Sequence, residues 1–134
     1  MSYLHRHRVR YGEVDAQRVV YNAHYLAYCD DAVEAWFEAL ALDPSGEGWD
    51  FMLKRATVEW AGSATLRDVL DITCAVERWG TTSFDVGFTG TVGERPVFTA
   101  RITYVGVVDG TTTSAPPPPA VRAALGEPVA APRS

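Results

Sequence analysis

One stretch of the chain breaks the rhythm of the rest. Between Asn22 and Leu40 the apolar residues fall at Tyr25, Tyr28, Cys29, Ala32, Trp36 and Leu40, mostly three or four apart. That spacing predicts one long amphipathic helix, since 3.6 residues per turn bring these positions onto one stripe. Asp30, Asp31, Glu34 and Glu38 fall mostly off it. Asn22 is the expected N-cap, and Asp43-Pro44-Ser45-Gly46 is the expected stop.

Elsewhere the period is two. Residues from about Leu4 to Tyr11 read as a strand, with Arg6, Arg8 and Arg10 alternating with His7, Val9 and Tyr11. After the helix, Ala56, Val58 and Trp60 share one face. So do Leu70, Ile72, Cys74 and Val76; then Phe84, Val86, Phe88 and Val92; then Phe98, Ala100, Ile102 and Tyr104. Gly80 and Gly93-Glu94-Arg95 punctuate these runs as hairpin turns do. The order strand, long helix, four strands predicts an α+β fold, with one helix on one face of an antiparallel sheet of about five strands. Residues 1–108 form the expected single domain. From Asp109 the alternation stops, and 109–134 reads as a Pro-rich tail with a short helix near Ala120 to Leu125.

Composition narrows the classes. A chain of 134 residues suits one core. A net charge of −5 argues against a dedicated nucleic-acid binder. Cys29 and Cys74 sit in apolar-periodic segments without a CxxC pattern and read as free buried thiols of a reducing compartment. Only His5 and His7 have a metal-like spacing, and a solvated strand end accounts for them, so no metal is expected. No apolar run approaches a membrane span, and MSYLHRHRVR has no signal-like apolar region, so a cytoplasmic protein is expected. No phosphate-cradling Gly-rich loop, GxSxG or Ser-His-Asp grouping occurs.

The candidate chemistry centres on Asp15, a carboxylate seven residues before Asn22. Taken alone it reads as a loop acid bonding a turn. The surrounding VRYGEVDAQRVVYNAHYLAYCDDA, Val9 to Ala32, resembles the 4-hydroxybenzoyl-CoA thioesterase-like branch of the hot-dog superfamily: strand, Tyr, Asp, apolar pair, then a helix with Tyr25 in its first turn. TVEWAGSATLRDVLDI and RWGTTSFDVGF resemble segments that follow, so the likeness runs from about Leu4 to Val108.

The resemblance implies a hot-dog fold, in which the sheet wraps the helix, and a homodimer or homotetramer. It implies an acyl-CoA thioesterase acting on an acyl-CoA or acyl carrier protein thioester without a cofactor. Asp15 becomes the expected catalytic acid, either as general base toward water or as nucleophile giving a mixed anhydride. Unpaired N–H groups at the helix start, after Asn22, are the expected oxyanion donors. His24 reads equally as an acid–base group and as a solvent-facing first-turn residue. Tyr21 and Tyr25 are candidate substrate contacts, although Tyr25, like Tyr28, lies on the core stripe. Arg18, Arg67 and Arg78 are candidates for the CoA phosphates, with a plain surface role as the alternative. Glu13 reads as a solvated loop charge near enough in sequence to perturb Asp15.

Three positions depart from the family pattern: Arg18 where many relatives have Gly, Asn22 where acyl-CoA relatives often have His, and His24 where relatives often have Asn. Arg at a position needing φ > 0 predicts a reshaped loop. Two other functions stay open. One is a hot-dog hydratase or dehydratase on an enoyl or hydroxyacyl thioester using Asp15 and His24, weakened by the lack of an Asn-Pro pair. The other is a non-catalytic acyl-binding dimer module.

Overall fold

The computed structural model describes residues 1–130. In chain order the elements are β1 (Tyr3–Arg8), α1 (His24–Ala39), β2 (Trp49–Trp60), β3 (Val69–Trp79), β4 (Ser83–Val92), β5 (Arg95–Val108) and α2 (Pro119–Leu125). The strands form one antiparallel sheet in the order β1-β3-β4-β5-β2, and α1 packs against it. This is the expected hot-dog arrangement.

The centre follows the period-two pattern closely. Leu70, Ile72, Cys74 and Val76 of β3, Phe84, Val86 and Phe88 of β4, and Phe98, Ala100, Ile102 and Tyr104 of β5 are buried against Tyr25, Tyr28, Cys29, Ala32, Val33, Trp36 and Phe37 of α1. At roughly 1.5–3 kcal/mol per large side chain removed from water, this contact is the main stabilising term. The strand β2 behaves differently. Among the described residues it pairs only with β5, so it is an edge; Ala56 and Val58 are half-buried and Trp60 is 47% exposed. Both cysteines are free and buried in the core. Burial pushes both thiols up, Cys74 to about 12.

The helix ends differ from the expectation. The N-cap position is Ala23, not Asn22, and no side chain among the described residues caps it. A tight turn substitutes for the cap: His24 N–H donates to Tyr21 C=O (2.9 Å) and Tyr25 N–H to Asn22 C=O (3.3 Å). At the other end, Leu42 N–H donates to Phe37 C=O and Ala41 N–H to Glu38 C=O, with Ala41 at φ 54°. That is a Schellman closure, so the helix stops before Asp43-Pro44.

The region after Asp109 lies along the sheet. Val121 and Leu125 of α2 belong to the core. Trp79 Nε1 donates to Gly126 C=O (3.0 Å), Trp49 Nε1 to Ala115 C=O (3.2 Å), and Val129 N–H to Val76 C=O (2.9 Å). Positions 131–134 of the expected tail lie outside the described residues. Among the described residues, no helix is long and apolar enough to cross a membrane.

Candidate functional site

A short hairpin carries Asp15. Val14 pairs with Val20, Asp15 N–H donates to Val19 C=O (2.9 Å), and Tyr21 N–H donates to Glu13 C=O (3.0 Å). Arg18 N–H returns to Asp15 C=O (2.9 Å), and Arg18 sits at φ 67°. Backbone of this kind suits a three-residue loop ending in a left-handed residue. Arg18 therefore occupies the left-handed position itself; no reshaped loop spares it that conformation.

The turn reading of Asp15 is real. Its Oδ1 accepts the Gln17 N–H at 2.8 Å, as Asp does at the head of a turn. Its other oxygen has no partner among the described residues, and the side chain is half-buried. The same carboxylate is thus held by one oxygen and open at the other.

The hairpin is fixed to the body through Ala64. Val20 N–H donates to Ala64 C=O (2.9 Å), while Ala64 N–H donates to the Tyr25 hydroxyl (3.2 Å). Tyr25 is buried among Trp60 and Phe98. It is a core residue that ties the first turn of α1 to the hairpin, rather than a free wall of a pocket. Tyr21 is exposed, and its ring meets His24 edge-on at 6.0 Å. His24 is half-buried, its ring 6.4 Å from that of Tyr28. Among the described residues no hydrogen bond joins Asp15 to His24 or Asn22. At the turn before α1, Asn22 and Ala23 are exposed residues whose N–H groups are unpaired among the described residues. They are donors with nothing to bond but water or a ligand.

Glu13 is not the solvated charge that the sequence suggests. Its carboxylate accepts the Arg10 N–H (2.8 Å), pairs with the Arg10 guanidinium (3.2 Å) and lies 2.8 Å from His7 Nε2. Burial works against its charge, but the Arg10 and His7 bonds and the neighbouring Tyr28 hydroxyl outweigh it and hold the carboxyl at about 2. The Tyr28 hydroxyl is buried beside it, without a hydrogen bond of full geometry among the described residues. Burial and Glu13 push this phenol up. The Arg10-x-x-Glu13 spacing, an acid closing a single turn, was the signal available in the sequence.

The arginines separate. Arg18 stands at the hairpin tip, next to Asp15. Arg67 lies in the turn before β3, at φ 69°. Arg78 lies at the other end of β3, about 35 Å away along the strand at roughly 3.3 Å per residue. It is already engaged, with bonds to Asp85 (3.0 and 3.3 Å) and Ser83 (3.0 Å). The structure groups Asp15, Arg18, Tyr21, Asn22, His24, Tyr25 and Arg67 at one end and leaves Arg78 out. A separate cavity of about 580 Å³ lies between the second half of α1 and the β2–β5 pair, with Val33, Phe37, Phe51 and Tyr104 in its wall.

The family model of the thioesterase-like superfamily matches residues 9–125, which takes in α2. The acyl-CoA thioesterase YbgC of Helicobacter pylori is 34% identical over 67 residues, 50% of this chain and 50% of the relative. The match thus spans about half the length of that relative. A 1,4-dihydroxy-2-naphthoyl-CoA thioesterase from Synechocystis superposes with a TM-score of 0.84 at 19% identity, covering 93% of this chain and 96% of the other. A gentisyl-coenzyme A thioesterase does so with a TM-score of 0.80 at 20% identity, covering 92% and 98%. At such identities the two structures speak for the fold.

Proposed function

The chain belongs to the thioesterase-like superfamily, and on that premise we propose that it hydrolyses acyl-CoA thioesters with Asp15 as the catalytic carboxylate. The observation that supports this reading most is the half-held Asp15: one oxygen bonded to Gln17, the other open, on a hairpin tied through Ala64 to the first turn of α1. Water attacks the thioester carbon while the open oxygen of Asp15 takes its proton. The oxyanion accepts from the free N–H groups of Asn22 and Ala23. Collapse breaks the C–S bond, and the thiolate leaves with the proton returned from Asp15. Direct attack by Asp15, through a mixed anhydride, uses the same groups. Tyr21 and His24 border the substrate, and Arg18 meets its carrier end.

A homodimer fits the same reading. Among the described residues one side of β2 is unpaired, and Met52, Leu53 and Trp60 of this strand are exposed. An open apolar edge of this kind calls for a partner. Light scattering at micromolar concentration should give at least a dimer; a monomer would refute this assembly.

Thiol release from a panel of acyl-CoAs tests the activity. Asp15→Asn should lower turnover by at least about 10²-fold, with KM and Tm little changed. His24→Ala should cost less. An equal loss from both changes, with hydration of an enoyl-CoA, would favour the hydratase. A folded Asp15→Asn protein working at the parental rate would remove Asp15 from the mechanism.

A further inference from the structure

We propose that Glu13 is a positioning residue for the reaction: its carboxylate fixes the strand that carries Asp15 onto β1 and α1, with His7 and Tyr28 as the groups that receive it. The proposal rests on the thioesterase reading and names what holds the acid of that site in place.

The two strands of the Asp15 hairpin are anchored by different means. The second is bound through its backbone: Val19 bridges Thr65, Val20 N–H donates to Ala64 C=O (2.9 Å), and Val20 is buried. The first strand carries Asp15. Among the described residues it has no backbone bond beyond the hairpin and the turn before it. Its polar tie to the rest of the domain is the Glu13 side chain. One carboxylate oxygen lies 2.8 Å from His7 Nε2 on β1 and accepts the Arg10 N–H (2.8 Å); the other pairs with the Arg10 guanidinium (3.2 Å). An ionised carboxylate only accepts, so the His7 bond puts the proton on Nε2.

The strand that receives Glu13 is firmly held. His7 is in register with Leu70 of β3. Two residues on, Val9 is buried, accepts the Arg67 N–H (3.1 Å) and donates to Asp68 C=O (2.9 Å).

The same side chain reaches the helix. The His7 ring packs on the Tyr28 ring at 4.3 Å, and the buried Tyr28 hydroxyl stands beside Glu13. Glu13 C=O accepts the Tyr21 N–H (3.0 Å), directly before the Asn22 and Ala23 donors. Glu13 thus touches both halves of the site, the strand of the carboxylate and the turn of the oxyanion donors. Asp15 follows two residues later, about 7 Å along extended backbone. Val14 between them has φ −100° and ψ 147°, so a displacement of Glu13 carries Asp15 with it.

Closing the Arg10 turn does not by itself explain this arrangement. The bond to the Arg10 N–H could form with the carboxylate in water. Instead the Glu13 side chain is only 14% exposed, and it sets a second negative charge close to Asp15. Burial and like charge both disfavour the ionised form. What the arrangement provides is a fixed relation between acid and donors, and a misplacement of about 1 Å can cost about 10²-fold in rate.

Two measurements on the full chain test this. The first is a double-mutant cycle read in hydrolysis. Glu13→Gln keeps the size of the side chain and should lower kcat about tenfold, with KM within about twofold of the parent. In the Asp15→Asn background the same change should cost less than about twofold, because the group it positions is gone. A role in folding alone would lower both backgrounds by one factor. His7→Gln keeps a donor near the place of Nε2 and should retain most of the parental kcat. His7→Phe keeps only the ring and should lose kcat as Glu13→Gln does. The second measurement needs no turnover. In Glu13→Gln, hydrogen exchange of the Asp15 and Tyr21 amides should quicken about tenfold, more than that of the β3 and β4 amides, which report global opening. Equal losses in both backgrounds would overturn the proposal. So would hairpin amides that quicken no more than those of the sheet. If the hairpin loosens but no thioester is hydrolysed, or Asp15→Asn works at the parental rate, the anchor stands and the thioesterase reading of Asp15 falls.

Discussion

At the far end of β3 the basic side chains are built into the fold; at the near end two are not. Arg78 bonds Asp85 and Ser83, Arg101 bonds the nearly buried Glu77 (2.8 Å), and Arg122 lies 5.0 Å over the Trp79 ring. There the guanidiniums satisfy carboxylates and an aromatic face that would otherwise stand unpaired. At the near end Arg8 and Arg67 meet no acid among the described residues, next to a hairpin whose Asp15 has one open oxygen. Residue type is the same at both ends, so role follows from partners. Substitutions at the far end should act on stability, and those at the near end on kinetics.

The largest expected effect tests the stability side. Leu125→Ala opens a void in the core where α2 meets it and should cost about 2–5 kcal/mol in denaturant unfolding. A loss below about 1 kcal/mol would mean that α2 is not part of the core. Next comes Asp85→Ala, which strips Arg78 and the Thr103 hydroxyl (2.7 Å) of their acceptor. It should cost about 1–3 kcal/mol, with KM for acyl-CoA as in the parent. A raised KM would bring Arg78 back as a nucleotide contact.

The smallest effect sharpens the contrast at the near end, where Glu13 engages the Arg10 guanidinium. Its carboxyl is held at about 2 against an ordinary 4.5. A depressed pKa adds stability that is complete above about pH 4.5 and is lost as the pH falls toward 2. Glu13→Gln should therefore be less stable than the parent by about 1 kcal/mol at neutral pH, allowing for solvent screening. The gap should close in acid. A gap independent of pH would show that the carboxylate charge contributes nothing.

Particular residues show what the sequence revealed. Leu70, Ile72, Cys74 and Val76 alternate, and all are buried, because a covered strand imposes period two on its residues. Ala56, Val58 and Trp60 alternate just as well, yet Trp60 is exposed. Alternation cannot tell a central strand from an edge, and only the strand order can. Asn22 has the right chemistry for a cap, but the Tyr21–His24 turn substitutes for it. The Asp15 turn was readable because turn chemistry is local. The pairing of Val9 with the Arg67–Asp68 turn was not, since those bonds link positions far apart in the chain. For the same reason Arg67 and Arg78, equal candidates in the sequence, end on opposite sides of the molecule.

The two buried cysteines turn this protein into its own folding clock. Folded, both thiols are shielded and held in the protonated form, so a thiol reagent should find almost nothing to react with. Each opening of the core exposes Cys29 of α1 and Cys74 of β3, one on each side of the helix–sheet contact. Labelling over time then counts how often the helix and sheet part, and the order in which the two sites label reports which side loosens first.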